Sequence, residues 1–179
     1  MSNYPIIYSD RLKLVPLSME HLSIDYVEWL NDIEVYKYLE TGGNYTLEKL
    51  TAFLSDVVHK NILFYAVHIK STNIHIGNIK IDPINTVHNI GEYGIMMGRR
   101  SEWNKGYAKE ASLRIIEYCF DALKLRKITL GVIADNQAAV ALYYKLGFVK
   151  EGEYVDHAFH NGKYCNVLRM AIFNPNSNS

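Results

Sequence analysis

One short turn decides the fold of this chain, and it reads Trp103-Asn104-Lys105-Gly106-Tyr107-Ala108. It follows an apolar run at 90–97 that is typical of a β-strand, and it precedes an amphipathic helical pattern. Small residues at a helix start leave unpaired backbone N–H groups at the positive end of the helix dipole, and Lys105 adds a positive charge. The turn therefore predicts a phosphate site, and an ordinary strand-to-helix connection is the alternative.

Downstream of the turn the sequence predicts a helix, a strand and a second helix. Small and apolar residues recur every three or four positions to about Leu123, which is typical of one helix face. Residues 127–134 form an apolar strand pattern, and Asp135 or Asn136 can cap a last helix. Because strand, helix and strand follow one another, we expect the two strands to be parallel neighbours.

The rest of the chain completes a mixed α/β pattern. The predicted upstream elements are a strand at 11–15, a helix capped by Ser18, a helix at 33–39, a helix capped by Thr46, and strands at 63–70, 74–81 and 87–97. Asp82-Pro83 predicts a turn, and Asn161-Gly162 predicts a hairpin between 149–159 and 163–173. We therefore expect one domain over residues 1–173 and a disordered polar tail at 174–179.

Composition excludes several classes of protein. Of the 179 residues, Lys plus Arg and Asp plus Glu number 19 each, so the chain has no overall field that would attract nucleic acid or an anionic membrane. Apolar runs such as 62–67 are far too short to span a bilayer. Cys119 and Cys165 have no disulfide pattern and no metal-ligand spacing. We therefore expect a cytoplasmic protein without a metal site.

Three stretches together resemble the acyl-CoA binding motifs of the GNAT N-acyltransferase superfamily. They are Gly91-Glu92-Tyr93-Gly94-Ile95, the turn from Trp103 continued to Ala111, and the segment from Asp135 to Phe148. The resemblance spans about Ile6 to Phe173, and its nearest branch contains ribosomal-protein N-terminal acetyltransferases and bacterial amino-sugar N-acetyltransferases. It implies a GNAT-like α/β fold, in which helices flank a mostly antiparallel central sheet with one splayed parallel strand pair. It also implies acetyl-CoA or another short acyl-CoA as co-substrate.

The resemblance further implies which residues hold the acyl-CoA. Backbone groups of Ile95, Met96 and Met97 would pair with the pantetheine amides, and Asn136 would contact the pantetheine arm. The pyrophosphate would lie on Trp103, Asn104, Lys105, Gly106, Tyr107 and Ala108. The family usually starts this turn with Gln or Arg, so Trp103 is a departure. We expect its ring to pack or to lie along the ligand, while Arg99 or Arg100 could supply the missing charge.

The catalytic residues implied by the resemblance are Tyr143 and Glu92. Tyr143 falls at the position of the family's general acid, where it would protonate the leaving thiol; the alternative is a core aromatic. Glu92 lies 14 residues before Gly106, as does the glutamate base of histone-acetylating members. The alternative for Glu92 is a glutamate that faces solvent or pairs with a lysine. Other members carry the base where this chain has Gly131, and His157 and His160 near the hairpin are fallback bases.

The amine acceptor is predicted from the variable N-terminal helices. Aromatic and acidic residues crowd there: Trp29, Tyr36, Tyr38 and Tyr45, with Asp25, Glu28, Asp32, Glu34 and Glu40. Such a mixture suits a sugar that carries an amine. The run from Trp29 to Leu39 also resembles that of GNAT enzymes in bacterial surface-sugar pathways, which implies direct acyl transfer to a nucleotide-linked amino sugar of bacterial surface-polysaccharide synthesis. The alternatives are a protein N-terminus as acceptor and a CoA-binding sensor without turnover. The final hairpin could also form a homodimer interface.

Overall fold

The computed structural model describes residues 4–39 and 43–177. Its strands are β1 Ile7–Tyr8, β2 Leu12–Pro16, β3 Leu63–Ile69, β4 His75–Asn85, β5 Ile90–Met97, β6 Lys127–Ile133, β7 Val149–His160 and β8 Lys163–Phe173. Its α-helices are α1 Ile24–Asn31, α2 Ile33–Tyr36, α3 Leu47–His59, α4 Tyr107–Asp121 and α5 Gln137–Lys145. Short 3₁₀ helices occupy Met19–His21 and Arg100–Glu102.

The eight strands form one mixed sheet in the order β1-β2-β3-β4-β5-β6-β8-β7. Strands β5 and β6 pair in parallel over Ile90–Glu92 and Lys127–Thr129, which are the first three residues of each strand. The flanking pairs β2–β3, β3–β4, β6–β8 and β7–β8 are antiparallel. The predicted fold class, a mostly antiparallel α/β sheet with one parallel pair, is confirmed.

The chain divides into two compact units whose boundaries fall inside β4, β5 and α4. The first unit contains the chain up to Asp82 together with Gly94–Arg114. Its core joins α1, α2 and α3 to β3 through the buried side chains of Leu17, Tyr26, Trp29, Leu30, Val35, Leu50, Leu54, Val57 and Ala66. The partly buried side chains of Met96 and Trp103 pack against this cluster, which brings the end of β5 and the predicted phosphate turn onto the core.

The second unit contains Pro83–Tyr93 and the chain from Ile115 onward. Seven residue pairs join β6 to β8, from Lys127–Phe173 to Ile133–Val167. The Asn161-Gly162 turn has φ values of 50° and 75°, so the predicted hairpin between β7 and β8 is confirmed with left-handed backbone at both turn residues. Strand β7 lies at the end of the sheet and is almost entirely exposed.

The first predicted helix is two elements. Ser18 caps only the 3₁₀ helix Met19–His21, because the His21 ring accepts the Ser18 backbone N–H and Leu22 then leaves the helical conformation at ψ 113°. Ser23 caps α1 separately, with its hydroxyl accepting the Tyr26 N–H. Two residues with capping side chains in one short stretch thus start two helices rather than one.

Two further expectations differ from the structure. No turn forms at Asp82-Pro83; β4 continues to Asn85, because the β3 pairing ends at Ile81 and the missing proline N–H costs no bond on that side. The polar tail expected from Asn174 is anchored at its start. Asn174 is buried, and its amide donates to the backbone carbonyls of Phe120 and Leu125. Residues 178–179 lie outside the described residues.

Candidate active site

The predicted phosphate turn lies in the first unit, between a 3₁₀ helix and α4. Asn104 and Gly106 have φ values of 61° and 81°, which is the left-handed region that glycine adopts without strain. Helix α4 begins directly after Gly106, at Tyr107, and continues for 15 residues. The turn therefore presents the N-terminus of a long helix, which is the arrangement that binds phosphate groups.

Trp103 packs, as the sequence analysis expects. Its indole N–H donates to the Met97 carbonyl at 2.8 Å, and its ring lies against the apolar core of the first unit. The Met97 carbonyl at the end of β5 is thus already a hydrogen-bond acceptor. Trp103 joins the strand end to the turn, so both segments predicted to hold acyl-CoA share one structural support.

The positive charges near the turn are engaged by carboxylates. Arg99 pairs with Asp25, and Arg100 Nη1 lies 3.2 Å from Asp32 Oδ2. Lys105 Nζ lies 2.9 Å from Glu102 Oε2. Each guanidinium has an acidic partner in this ligand-free structure, and the expectation that Arg99 or Arg100 supplies charge to a pyrophosphate stays a prediction.

Asn136 and Tyr143 belong to the second unit. Asn136 is the N-cap of α5, and its side-chain oxygen accepts the Ala139 N–H at 3.3 Å. The Tyr143 ring is buried, with the rings of Tyr93 and Phe148 at 5.8 and 5.9 Å. Burial raises the pKa of Tyr143 to about 12. The Tyr143 hydroxyl makes no hydrogen bond within residues 4–39 and 43–177.

Glu92 on β5 is held by Thr129 on the adjoining strand β6 and by Arg169 on β8, the strand beyond it. Arg169 Nη1 and Nη2 donate to its two carboxylate oxygens at 2.8 and 2.9 Å, and Thr129 donates to Oε2 at 2.5 Å. A Cβ at Gly131 would lie 2.8 Å from Arg169 Nη1, so the glycine leaves room for the guanidinium. Successive strand residues point to opposite sheet faces. The Tyr93 side chain contacts Tyr143 on one face of the sheet, so the side chain of Glu92 lies on the opposite face.

The remaining candidates for a base or a nucleophile are His157, His160 and Cys119. The His157 ring contacts Tyr154 at 4.9 Å, and His160 is buried beside the hairpin turn rather than exposed. Burial raises the pKa of Cys119 to about 12, so its thiol stays protonated. Within the described chain no group of three or more His, Cys, Asp or Glu side chains could hold a metal ion.

The predicted acceptor region surrounds an open cavity of about 430 Å³ in the first unit. Asn31, Tyr36, Gly43, Asn44, Tyr45 and Thr46 line it. Asn31 fixes the backbone of Tyr45, since its side-chain oxygen accepts the Tyr45 N–H at 2.7 Å and its side-chain NH₂ donates to the Tyr45 carbonyl at 2.9 Å. Glu40 lies outside the described residues. No helix in the described ranges is both long and apolar enough to cross a membrane.

Sequence reasoning missed Arg11, Glu110 and Arg169. Arg11 reaches the phosphate turn from the position just before β2; its Nη1 donates to the Lys105 carbonyl at 3.0 Å and its Nε to Glu110 at 2.7 Å. These partners are 94 and 99 positions away along the chain, so no local pattern could reveal them. Arg169 likewise meets Glu92 across 77 positions.

The family model for the "Acetyltransferase (GNAT) domain" matches residues 11–149. The chain is 34% identical over 168 residues to spermidine N(1)-acetyltransferase of Escherichia coli K12, covering 90% of this chain and 86% of that protein. It is 39% identical over 97 residues to spermidine N(1)-acetyltransferase of Vibrio cholerae, which spans 54% of this chain and 56% of that relative. The chain belongs to the GNAT acetyltransferase family. It is an acyl-CoA-dependent N-acyltransferase whose co-substrate is acetyl-CoA.

Solved structures agree with this fold. The spermidine N-acetyltransferase of V. cholerae, crystallised with CoA and spermine, superposes with a TM-score of 0.85 at 29% identity, covering 93% of this chain and 97% of that one. A GNAT acetyltransferase from Bacillus anthracis superposes with a TM-score of 0.84 at 24% identity, which is evidence for the fold alone. The predicted superfamily is confirmed. The predicted branch is not, since these curated relatives act on spermidine rather than on ribosomal proteins or amino sugars.

Proposed function

We propose that this enzyme transfers an acetyl group from acetyl-CoA to a primary amine of a linear polyamine such as spermidine. The observation that carries the proposal is the similarity to the E. coli spermidine N(1)-acetyltransferase along 90% of this chain. The relatives give no support to a nucleotide-linked amino sugar. A protein N-terminus is the second candidate, since a putative ribosomal N-acetyltransferase of Bacillus subtilis is 26% identical over 54% of the chain.

The N-terminal helices offer chemistry that suits a polyamine. A polyamine is a flexible chain of ammonium groups near pKa 10.4, so it binds best beside carboxylates and aromatic faces. Glu28 on α1 is exposed, and Asp25 and Asp32 meet Arg99 and Arg100 at exposed or partly exposed positions. Tyr36 and Tyr45 line the nearby cavity. A cation competing with the two arginines would find carboxylates already in place.

The proposed chemistry is a direct transfer without an acyl-enzyme. The amine nitrogen attacks the thioester carbonyl carbon, the carbon–sulfur bond breaks, the amine proton leaves to water, and the sulfur leaves as thiolate. Neither cysteine is activated as a nucleophile for a covalent route, because burial raises the pKa of Cys119 to about 12 and also raises that of Cys165. Holding amine and carbonyl about 3 to 3.5 Å apart would supply much of the rate.

Tyr143 is proposed as the hydrogen-bond donor to the leaving thiolate. Its pKa of about 12 keeps the hydroxyl protonated at neutral pH. A thiol near pKa 8.5 is the stronger acid, so the hydroxyl stabilises the thiolate by a hydrogen bond rather than by completing the proton transfer. The buried ring and the hydroxyl that bonds no described residue support this role.

We also propose that the enzyme works in the cytoplasm. Cys119 and Cys165 are both free and buried. Unpaired cysteines are the rule in a reducing compartment.

An acceptor panel tests the substrate. CoA release from acetyl-CoA is measured with spermidine, spermine, a nucleotide-linked amino sugar and a peptide with a free N-terminus. We expect the polyamines to exceed the others in kcat/KM by about 100-fold, and the polyamine KM to rise with ionic strength because the attraction is electrostatic. A preference for the sugar or the peptide would overturn the proposal.

Substitution of Tyr143 tests the catalytic assignment. We expect Tyr143→Phe to lower kcat by about 100-fold with little change in the KM of acetyl-CoA, because the ring still fills the core while the hydrogen bond is lost. Tyr144→Phe is the matched control, since Tyr144 is the neighbouring residue on α5 and its side chain is 51% exposed. Equal activity of the two variants would contradict the role of Tyr143.

A further inference from the structure

We propose that Arg11 is a positioning residue for the acyl-CoA pyrophosphate. It acts by fixing the conformation of the turn between Trp103 and Ala108 and does not itself touch the ligand. The inference rests on the proposed role of that turn in binding acyl-CoA. It requires nothing of the amine acceptor, and it adds Arg11, which directly precedes β2.

The Arg11 side chain contacts the turn in three ways. Its Nη1 donates to the Lys105 carbonyl at 3.0 Å, and its guanidinium carbon lies 4.5 Å from the centre of the Tyr107 ring. Its Nη2 would lie 3.5 Å from a Cβ placed on Gly106. The guanidinium thus covers one side of the turn, beside the residue whose φ of 81° defines it.

The hydrogen bond to Lys105 orients the next amide. The Lys105 carbonyl and the Gly106 N–H belong to one planar trans peptide unit, in which the two groups point in opposite directions. A carbonyl held toward Arg11 therefore directs the Gly106 N–H away from Arg11. That N–H is then aimed where a phosphate oxygen can accept it, at the start of α4.

Glu110 holds the guanidinium in place. Its Oε2 accepts Arg11 Nε at 2.7 Å, while its Oε1 accepts the Arg11 backbone N–H and the Ser9 hydroxyl, each at 2.7 Å. Burial opposes the charged form of Glu110, but these hydrogen bonds and the Arg11 charge outweigh it and lower the pKa of Glu110. Glu110 lies in the first turn of α4, so the segment between β1 and β2, the turn and the helix start form one bonded assembly.

The contacts of Arg11 depend on its planar guanidinium group and not on its positive charge alone. Arginine bonds Glu110 and Lys105 at once because its donors lie in a rigid plane, whereas a lysine ammonium is a single compact charge on a flexible stem. Arg11→Lys therefore keeps the charge and loses the double contact. If positioning is the role, the lysine variant should behave like Arg11→Met.

The test measures the Kd of three ligands by calorimetry in the absence of acceptor. We expect Arg11→Met and Arg11→Lys each to weaken binding of CoA and of 3′-dephospho-CoA by about tenfold, and to leave the binding of pantetheine, which lacks the pyrophosphate, unchanged. In turnover the same variants should raise the KM of acetyl-CoA while kcat stays near the wild-type value.

Arg114→Met is the matched control. Arg114 lies one turn after Glu110 in α4 and carries the same charge as Arg11. Its Nε donates to the Tyr8 carbonyl at 2.7 Å, so it also links the N-terminal segment, here β1, to α4. We expect its variant to bind CoA as the wild type does. If Arg11→Met does not fold, Glu110→Gln, which retains Arg11 but weakens its anchor, should show a smaller loss with the same ligand pattern.

Three results would overturn the proposal: restored binding in Arg11→Lys, equal losses for CoA and pantetheine, or the same loss in Arg114→Met. The first would indicate charge alone, and the others a general loss of structure. Failure of the polyamine proposal would be seen separately, because it changes the acceptor panel and leaves these Kd values untouched.

Discussion

At the scale of single residues, Glu92 shows how partners set the chemistry of a side chain. Its carboxylate accepts two bonds from Arg169 and one from Thr129. These bonds engage both carboxylate oxygens, so fewer lone pairs are left to accept a proton from an amine. The alternative of a paired strand glutamate, which sequence reasoning left open, gains support, although the partner is an arginine.

Substitution of Glu92 separates the two roles. We expect Glu92→Gln to lower kcat by less than about tenfold, because a carboxylate engaged by a guanidinium contributes little as a base, and to lower the unfolding midpoint because Arg169 loses its ionic partner. Activity and urea unfolding are measured on the same preparation.

Arg169→Met is the companion variant. It removes the guanidinium and leaves Glu92 with Thr129 as a donor. If Glu92 is the base, this variant keeps the carboxylate and retains most of the activity, while Glu92→Gln lowers kcat by about 100-fold or more, on the order of a general base's contribution. Those two results together would contradict the expectation above.

At the scale of elements, most helices and strands follow from local pattern. Thr46 caps α3, Asn136 caps α5, and Asn161-Gly162 closes the last hairpin, because each residue type has a strong local conformational preference. Local sequence pattern does not predict elements and boundaries that depend on pairing with a neighbouring strand. Strand β1 has only two residues and exists through its pairing with Leu14 and Lys13.

Asn136 offers a test at this scale, because one side chain could cap α5 and contact pantetheine. We expect Asn136→Ala to lower the free energy of unfolding by about 1 kcal/mol, since the Ala139 N–H loses its acceptor. Asn136→Asp should retain that stability, as aspartate caps equally well. Chemical unfolding measures both.

The ligand contact is read from the same pair of variants. If Asn136 donates to pantetheine through its amide, Asn136→Asp weakens CoA binding while stability is kept. If it serves only as a cap, Asn136→Asp binds CoA as the wild type does. A stable Asn136→Ala variant would refute the capping role itself.

At the scale of the whole molecule, a cluster of three histidines couples stability to pH. The rings of His21, His68 and His75 lie 5.0 to 5.4 Å apart, and Trp29 of the core contacts His75 at 4.9 Å. Burial lowers the pKa of all three, that of His75 to about 3. Below pH 6.5 the unfolded chain therefore binds more protons at these positions than the folded chain.

We expect the free energy of unfolding to fall as the pH drops below about 6.5, by up to about 1.4 kcal/mol per pH unit for each histidine that stays neutral in the fold. The stabilisation is fully present above pH 6.5 and is lost progressively toward pH 3 for His75. Urea unfolding between pH 7 and pH 5 measures it. His75→Asn should flatten the dependence, whereas substitution of the exposed His59 should not; equal slopes in both variants would refute the explanation.

The sequence by itself determined the class of fold, the strand–turn–helix around Gly106 and the acyl-CoA motifs, because backbone preferences and small-residue turns act over a few positions. Only the tertiary structure decided the environments of those residues. Arg11 meets Glu110 across 99 positions of the chain, and Arg169 meets Glu92 across 77. Charge pairing and burial are properties of neighbours in space, so the partners of Arg99, the bonds on Glu92 and the raised pKa of Tyr143 depend on the packed chain.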